Sequence, residues 1–199
     1  MDFLQLFVDQ HAGSHAAAVS GSTEPAVQDR LLSDLSDEQL RFRPARGVNS
    51  MAWLLWHMAR NEDVVVNVVL AGRLQVREDG WGERLKLAQR DLGTGMSDAE
   101  VTDVSEMVDI PALVAYRFAV GRRTQEVVPT LPVEAFDEPI DHTRLLAEGI
   151  FSNCAEGERR VGSYWQGQSK RLALGSWITT HNYLHLGEAG CIKTLVAGR

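Results

Sequence analysis

The stretch that decides the fold is His181-Asn-Tyr-Leu-His185-Leu-Gly-Glu188. Two histidines four residues apart lie one turn apart on the same face of an α-helix, close enough for both imidazoles to bind one metal ion. The stretch belongs to a longer series with spacings of three and four residues: Leu174, Ile178, His181, His185, Glu188, Ile192 and Leu195. This spacing predicts the inward face of a bundle helix running from about Lys170 to Val196, with three polar residues in its middle.

Those polar residues need partners if they face a core. A buried polar group without a hydrogen bond costs roughly 2–7 kcal/mol, and a bound metal ion would satisfy the imidazoles. Bundles build metal sites from side chains on facing helices, so a facing helix should supply the third ligand. His57 is the candidate, because it lies in the middle of an otherwise apolar helix predicted from Met51 to Ala71.

Three neutral imidazoles leave a divalent ion with open positions for water or substrate, which is typical of a catalytic site. Zinc, nickel, iron and copper all suit such ligands. Glu188, one turn beyond His185, could orient a ligand, act as a general base or be a fourth ligand. Tyr116, on the inner stripe of a predicted third helix, could donate a hydrogen bond in catalysis, the alternative being a packed core tyrosine.

Other interpretations of the histidines remain open. Histidines on an apolar face are often hydrogen-bonded core residues without a metal. His11 and His15 repeat the four-residue spacing, on a helix predicted from Asp2 to Val19, and could be the ligand pair instead or line the mouth of the pocket. Their helix pattern is weaker, because a glycine and a serine separate them, so a solvated role or one supporting the ligands is favoured. His142, beside an aspartate in a poorly patterned region, is interpreted as a surface or capping residue.

The rest of the pattern predicts helices joined by long connectors. Capping boxes begin at Ser36 and Ser97, and Asp109 can cap the third long helix. An ordered glycine-rich loop is expected from Arg73 to Gly95, and a short helix near 143–151. No convincing alternating run suggests a sheet, so the fold class is all-α: a four-helix bundle with long connecting loops and extra short helices. The chain of 199 residues suits a single domain, 1–199.

Composition excludes several classes of function. The net charge is −7 and the basic residues are scattered, which argues against nucleic acid or an anionic membrane surface as a partner. No apolar run approaches the ~20 residues of a membrane span. The two cysteines, Cys154 and Cys191, form no ligand motif and are expected to be reduced thiols. No leader pattern is present in the first residues, so we expect a cytoplasmic protein.

These residues resemble the DinB-like superfamily (DinB/YfiT) of metal-binding four-helix bundles. Two motifs carry most of the resemblance, and two glycine-containing segments resemble a variant of actinobacterial members. In chain order they are Leu35-Ser-Asp-Glu-Gln-Leu40 leading to Asn49-Ser-Met-Ala-Trp-Leu-Leu-Trp-His57 and Glu62-Asp63, then Gly80-Trp-Gly-Glu-Arg-Leu85, Gly93-Thr-Gly-Met96 and His181-x3-His185-x-Gly187-Glu188.

The resemblance implies that His57, His181 and His185 are the metal ligands, and it carries over no role for Glu188 or the other histidines. The family includes maleylpyruvate isomerases and S-transferases that use thiols such as mycothiol or bacillithiol. It therefore implies a metal-dependent S-transferase that takes a low-molecular-weight thiol and an electrophilic small molecule. Family members are often homodimers. Two alternatives remain: a metal-dependent hydrolase, with Glu188 as base, and a non-catalytic, stress-associated metal-binding bundle.

Overall fold

The computed structural model describes residues 2–147, 149–150 and 165–196, which form helices and no strand. The α-helices are α1 (Phe3–Ser14), α2 (Ala17–Ser20), α3 (Val27–Leu32), α4 (Asp37–Arg41), α5 (Met51–Asp63), α6 (Trp81–Arg84), α7 (Asp98–Met107), α8 (Ile110–Val127), α9 (His142–Ala147), α10 (Lys170–Leu172) and α11 (His181–Val196). Short 3-10 helices cover Val76–Glu78, Val128–Thr130 and Val133–Asp137. The predicted all-α class is confirmed.

The four long helices α1, α5, α8 and α11 form the bundle. Helix α5 packs against α8 on one side and α11 on another, while α1 packs against α11 and the helical segment that precedes it. The short helices lie in the connectors, and α4 and α7 also pack against α5. The predicted four-helix bundle with long loops and extra short helices is therefore confirmed.

Helix α5 is the centre of the molecule. Ser50 begins it as the N-cap, accepting a hydrogen bond of 2.9 Å from the Trp53 backbone N–H. All 13 residues of α5 are buried, so the predicted burial on more than one side is confirmed. Four consecutive polar residues, 60–63, share this burial and must find partners inside the bundle.

Two π-helical segments extend the bundle helices. Val64–Leu70 continues α5, Ala173–Thr180 leads into α11, and the two segments pack against each other. A π-turn closes i→i+5 hydrogen bonds and is wider than an α-turn, so it shifts which later residues face the core. The predicted stripe is correct at Leu174 and Ile178, which are buried, and wrong at Leu195, which is 59% exposed.

The predicted stripe is correct at Ile192, but elsewhere the buried face of α11 lies one residue further along the chain than predicted. Its buried residues are Asn182, Leu186, Ala189, Ile192 and Val196. His181, His185 and Glu188 each precede one of them and are half-buried. The three polar residues therefore lie at the edge of the core, where they contact both protein and solvent.

The amino-terminal helix is shorter than predicted. A continuous helix to Val19 was expected, but α1 ends at Ser14 and His15 takes an extended backbone conformation (φ −101°, ψ 178°) before α2 begins. The Ser14 hydroxyl donates to the His11 carbonyl, at 2.9 Å, a local bond that competes with helix continuation. The expectation of one unbroken helix is wrong for this reason.

Local signals at the other helix starts are accurate. Ser36 and Ser97 form capping boxes, and the Asp109 side chain accepts from the third residue of α8. No helix within the described ranges is both long and apolar enough to cross a membrane. The short helix predicted near 143–151 is α9, His142–Ala147, with a turn at 149–150. Cys191 is exposed and reduced, whereas Cys154 lies outside the described residues.

Candidate metal centre

Three imidazoles meet between α5 and α11. One nitrogen from each of His57, His181 and His185 lies within 4.8 Å of the other two. The Nε2 atoms of His57 and His181 are 3.0 Å apart. The rings of His181 and His185 meet edge to face, with centroids 4.6 Å apart and planes at 79°. The structure thus brings together the three histidines that the sequence proposed as ligands.

The His57 ring is held on two sides. Its Nδ1–H donates to the Leu92 carbonyl, and the Trp53 ring stacks on its face with centroids 4.7 Å apart and planes at 15°. A proton fixed on Nδ1 leaves the Nε2 lone pair directed at the other two histidines. Leu92 belongs to the connector between the π-helical segment Val64–Leu70 and α7, residues 72–95, which we call the 72–95 loop. A backbone carbonyl in this loop therefore fixes the orientation of His57.

His185 is oriented by Glu188. Its Nδ1 lies 2.9 Å from the Glu188 Oε2 atom, and the Asn49 amide donates to Oε1 at 2.9 Å. The hydrogen bond from His185, followed by that from Asn49, holds the pKa of Glu188 below its usual value against the opposing effect of burial. Glu188 is therefore an ionised carboxylate behind the His185 ring, where it fixes the orientation of the imidazole.

His181 contacts the central helix through Asn61. The Asn61 amide donates to the Trp177 carbonyl and lies 3.4 Å from His181 Nδ1. Asn61 thus connects α5 both to the π-helical segment and to the first residue of α11. This contact was missed by sequence reasoning.

The donor set fits a divalent metal ion. Metal binding needs neutral imidazoles. Burial, then the neighbouring His185, lowers the pKa of His57 to about 4. Burial, then His57, lowers the pKa of His181 well below its usual value. Both rings are therefore neutral at neutral pH, and their Nε2 atoms lie 3.0 Å apart. Among the described residues, no lysine or arginine side chain is bonded to these nitrogens.

The centre is closed on one side and open on the other. His57 is only 6% exposed, whereas the side chain of His185 is 21% exposed and that of Glu188 is 35% exposed. Solvent therefore reaches the three-histidine cluster from the side of α11.

Comparison with known proteins identifies the family and the fold. The sequence matches the family model described as the DinB superfamily over residues 22–189. The chain belongs to the DinB superfamily. It is also similar to a crystal structure described as a conserved protein from Enterococcus faecalis, with a TM-score of 0.71, 19% identity, and coverage of 100% of this chain and 99% of that one. At this identity the likeness shows the fold alone, and no curated protein matches the chain.

A second polar cluster lies inside this DinB-superfamily bundle. His11 and His15 both contact the Glu62 carboxylate, at 2.7 and 2.8 Å, and all three side chains are fully buried. Of the two roles favoured for these histidines, the solvated one is wrong, because both side chains are fully buried and bonded to Glu62. The side chain of His142 lies outside the described part of the structure.

Tyr116 belongs to a third buried group. Its hydroxyl donates to Asp63 at 2.6 Å and accepts from Arg60 at 3.0 Å, and burial raises its pKa well above the usual value. Asp63 also accepts from the backbone N–H groups of Val76 and Arg77. Tyr116 thus helps to attach the 72–95 loop to the bundle, and its hydroxyl is occupied by these two partners.

The network reaches the loop residues next to Leu92 as well. Arg60 donates to the Gln75 side chain at 2.8 Å and to the Arg90 carbonyl at 2.6 Å. The loop that orients His57 is therefore fixed by buried charged residues of the same helix. The signal in the sequence was the polar run 60–63 inside an apolar helix, which indicates that a buried network must exist.

Proposed function

We propose that this protein is a metal-dependent thiol S-transferase that joins a low-molecular-weight thiol to a small electrophile. The observation that supports it is the convergence of three imidazoles, one buried and two half-buried, between α5 and α11. A divalent ion held by His57, His181 and His185 supplies positive charge that lowers the pKa of a bound thiol. Membership of the DinB superfamily agrees with a metal site but does not specify the reaction.

The position of Glu188 favours thiol chemistry over hydrolysis. A hydrolase of this design would use Glu188 as the general base for a water molecule. Both oxygens of Glu188 already accept hydrogen bonds, from His185 and Asn49, and its pKa lies below the usual value. A carboxylate so held is a poor proton acceptor near neutral pH, since catalytic bases work best with a pKa near the working pH. Glu188 instead keeps His185 in position.

The proposed transfer is balanced in atoms and charge. With a haloarene as electrophile, the thiolate sulfur forms a bond to the aromatic carbon and the carbon–halogen bond breaks. The halide leaves with the bonding electrons, and the proton of the thiol passes to solvent. A thiol whose pKa is lowered at the centre is mostly thiolate near neutral pH, which is the nucleophilic form.

The test is a conjugation assay with defined metal content. Protein stripped with chelator and reloaded with zinc or nickel is mixed with 1-chloro-2,4-dinitrobenzene and glutathione, mycothiol or bacillithiol in turn. We expect conjugation with one thiol class, lost on chelation and restored by metal. The matched control is metal-loaded Glu83→Gln, a substitution in α6 that lies apart from the three histidines in the chain and should behave as wild type.

Three results would contradict the proposal. Metal-dependent hydrolysis of a small ester without any thiol would favour the hydrolase. Melting on chelation with no activity toward any of the three thiols would indicate a structural metal. Conjugation that is unchanged in His185→Ala would place the reaction elsewhere.

A further inference from the structure

The Glu62 carboxylate joins all four long helices of the bundle. Glu62 lies on α5 and accepts hydrogen bonds from α1, α8 and α11. The partners of Oε1 are His11 Nε2 at 2.7 Å and the Thr124 hydroxyl at 2.7 Å. The partners of Oε2 are His15 Nε2 at 2.8 Å and the Asn182 amide at 3.1 Å. Each oxygen therefore has two donors, which is the full capacity of a carboxylate.

This arrangement keeps Glu62 ionised although it is fully buried. Burial alone would raise the pKa of Glu62, but His15 and His11 hold it well below the usual value. Burial lowers the pKa of His15 to about 3, so that imidazole donates as a neutral group. Arg117, also fully buried, lies close enough to affect the titration of His15 and provides the opposite charge.

The ligand atoms of His11, His15 and Glu62 lie within 4.8 Å of one another, as those of the three-histidine centre do, but hydrogen bonds already satisfy this cluster without an ion. The rings of His11 and His15 lie tilted at only 34° with centroids 4.4 Å apart, and each meets a different carboxylate oxygen. The His181 and His185 rings, by contrast, meet at 79° around a common point. A cation at Glu62 would also have to displace the donors on both oxygens and lie near a buried guanidinium.

The Glu62 cluster lies beside the three-histidine centre on the same two helices. Glu62 follows His57 by five residues on α5, and Asn182 directly follows His181 on α11. The Asn182–Glu62 hydrogen bond therefore joins the two helices next to the point where His181 meets His57. A slide of α11 along α5 would break the first contact and separate the second.

We propose that Glu62 is a positioning residue for the metal centre: its carboxylate fixes α11 against α5 so that His181 reaches His57. This inference rests on the metal centre of the proposed function but not on the reaction. It assigns to Glu62, His11 and His15 a role in metal affinity although none of them is a ligand.

The test compares two variants of Glu62 by cobalt titration. Glu62→Leu removes all four acceptor contacts and should weaken Co²⁺ binding about tenfold or more, as loss of outer partners does in other metal sites. Glu62→Gln should stay close to wild type. The glutamine oxygen can still accept from His11 and Thr124. Its NH₂ group can donate to Asn182 and His15, provided that the Asn182 amide flips to present its oxygen and the His15 proton moves from Nε2 to Nδ1. The visible Co²⁺ absorption spectrum should change in Glu62→Leu only.

A stability control separates positioning from general weakening. Leu145→Ala opens a cavity in the core at α9 and should lower the midpoint of urea unfolding. It should leave the cobalt affinity and spectrum unchanged at temperatures where circular dichroism shows a folded protein. Equal losses of affinity in Leu145→Ala and Glu62→Leu would overturn the proposal.

A second pair of variants applies if Glu62→Leu does not fold. Asn182→Ala and Thr124→Val each remove one hydrogen bond to Glu62, but only Asn182 lies on the helix that carries His181. We expect weaker Co²⁺ binding in Asn182→Ala and near wild-type binding in Thr124→Val. Equal affinities in both would overturn the proposal.

Metal stoichiometry supplies the remaining outcomes. Wild type should bind one equivalent of Co²⁺. If wild type instead binds two equivalents and His15→Ala binds one, Glu62 is itself part of a metal site and the proposal is overturned. Wild type that binds no Co²⁺ would remove the centre and the proposed function together. If the protein binds one equivalent of Co²⁺ with an affinity that Glu62→Leu does not change, the positioning role alone is refuted. If Glu62→Leu weakens Co²⁺ binding but the metal-loaded protein transfers no thiol, the proposed reaction alone is refuted.

Discussion

Gly93 tests whether the 72–95 loop controls the metal centre. Gly93 has a φ of +78°, and a Cβ atom there would lie 2.5 Å from the Trp56 ring and 3.1 Å from the Trp53 ring. The left-handed conformation costs an alanine about 1–2 kcal/mol, and forcing a methyl group into a packed core costs about 1–3 kcal/mol more. We therefore expect Gly93→Ala to lower the free energy of unfolding by about 2–5 kcal/mol.

Gly80→Ala is the matched control. Gly80 has a φ of +81°, but a Cβ atom there would have no neighbour within 4 Å. Only the conformational cost of about 1–2 kcal/mol applies. The difference between the two variants thus isolates the contact with the tryptophans.

Gly93→Ala should also affect metal binding, because Leu92, the residue before Gly93, contacts His57. Leu92 supplies the carbonyl that accepts from His57 Nδ1, and Trp53 stacks on the same imidazole. A displaced Gly93 should move both, so we expect Gly93→Ala to weaken metal binding about 10–100-fold, the range for loss of such supporting contacts. Gly80→Ala should bind metal as wild type does.

Urea unfolding of metal-free protein measures the stability change, and competition with a chromophoric chelator measures the Kd for zinc. The two measurements can disagree. If Gly93→Ala loses the expected stability but keeps the wild-type Kd, the loop does not orient His57. If Gly93→Ala and Gly80→Ala are equally stable, the predicted contact with Trp56 is wrong.

Three further predictions concern the titrating residues. Alanine at His57, His181 or His185 should each lower bound metal sharply by elemental analysis, and retained metal in His57→Ala would exclude it as a ligand. Glu188→Gln should weaken metal binding about tenfold without changing the pH dependence of activity, and loss of the acidic limb of the pH–rate profile would instead identify a general base. The free energy of unfolding of metal-free protein, measured in urea, should fall as the pH falls from 6.5 toward 4. In the folded protein the pKa is lowered to about 4 for His57 and to about 3 for His15, so both stay neutral there, whereas the same side chains bind protons in the unfolded chain. The slope should reach about 1.4 kcal/mol per pH unit for each such histidine, and a flat profile would contradict their burial as neutral groups.

Local patterns in the sequence were sufficient for the bundle. The caps at Ser36, Ser50 and Ser97 depend on residues three positions away, so a short stretch contains all the information. The helical stripe of α11 also depends on nearby residues, and it was predicted correctly until a π-helical segment changed the register. Departures from ideal helix geometry were the main source of error, because a pattern of spacings assumes a constant turn.

The contacts around the site were harder to predict because they join distant parts of the chain. His15 and Glu62 are 47 residues apart, and no local pattern indicates that they meet. Leu92 contributes only a backbone carbonyl, which every residue has, so no side-chain pattern marks its role. The polar run 60–63 indicated a network, but its partners followed only from the three-dimensional packing.

The two histidine pairs show what spacing cannot decide. His11 and His15 have the same four-residue spacing as His181 and His185, yet the charge they face differs. In the first pair the Glu62 carboxylate lies at both Nε2 atoms, so the imidazole protons point inward and an anion fills the cluster. In the second pair the carboxylate lies behind the ring, at the Nδ1 atom of His185, so the lone pair points inward toward two other imidazoles. Nitrogen lone pairs that point at one another without an anion between them can be satisfied by a cation. N–H groups that point at a carboxylate already have their hydrogen-bond acceptor. The position of the carboxylate thus distinguishes the two pairs: at His11 and His15 it completes a hydrogen-bond cluster, whereas at His185 it lies behind the ring and no anionic side chain in the described part of the chain lies among the three imidazoles.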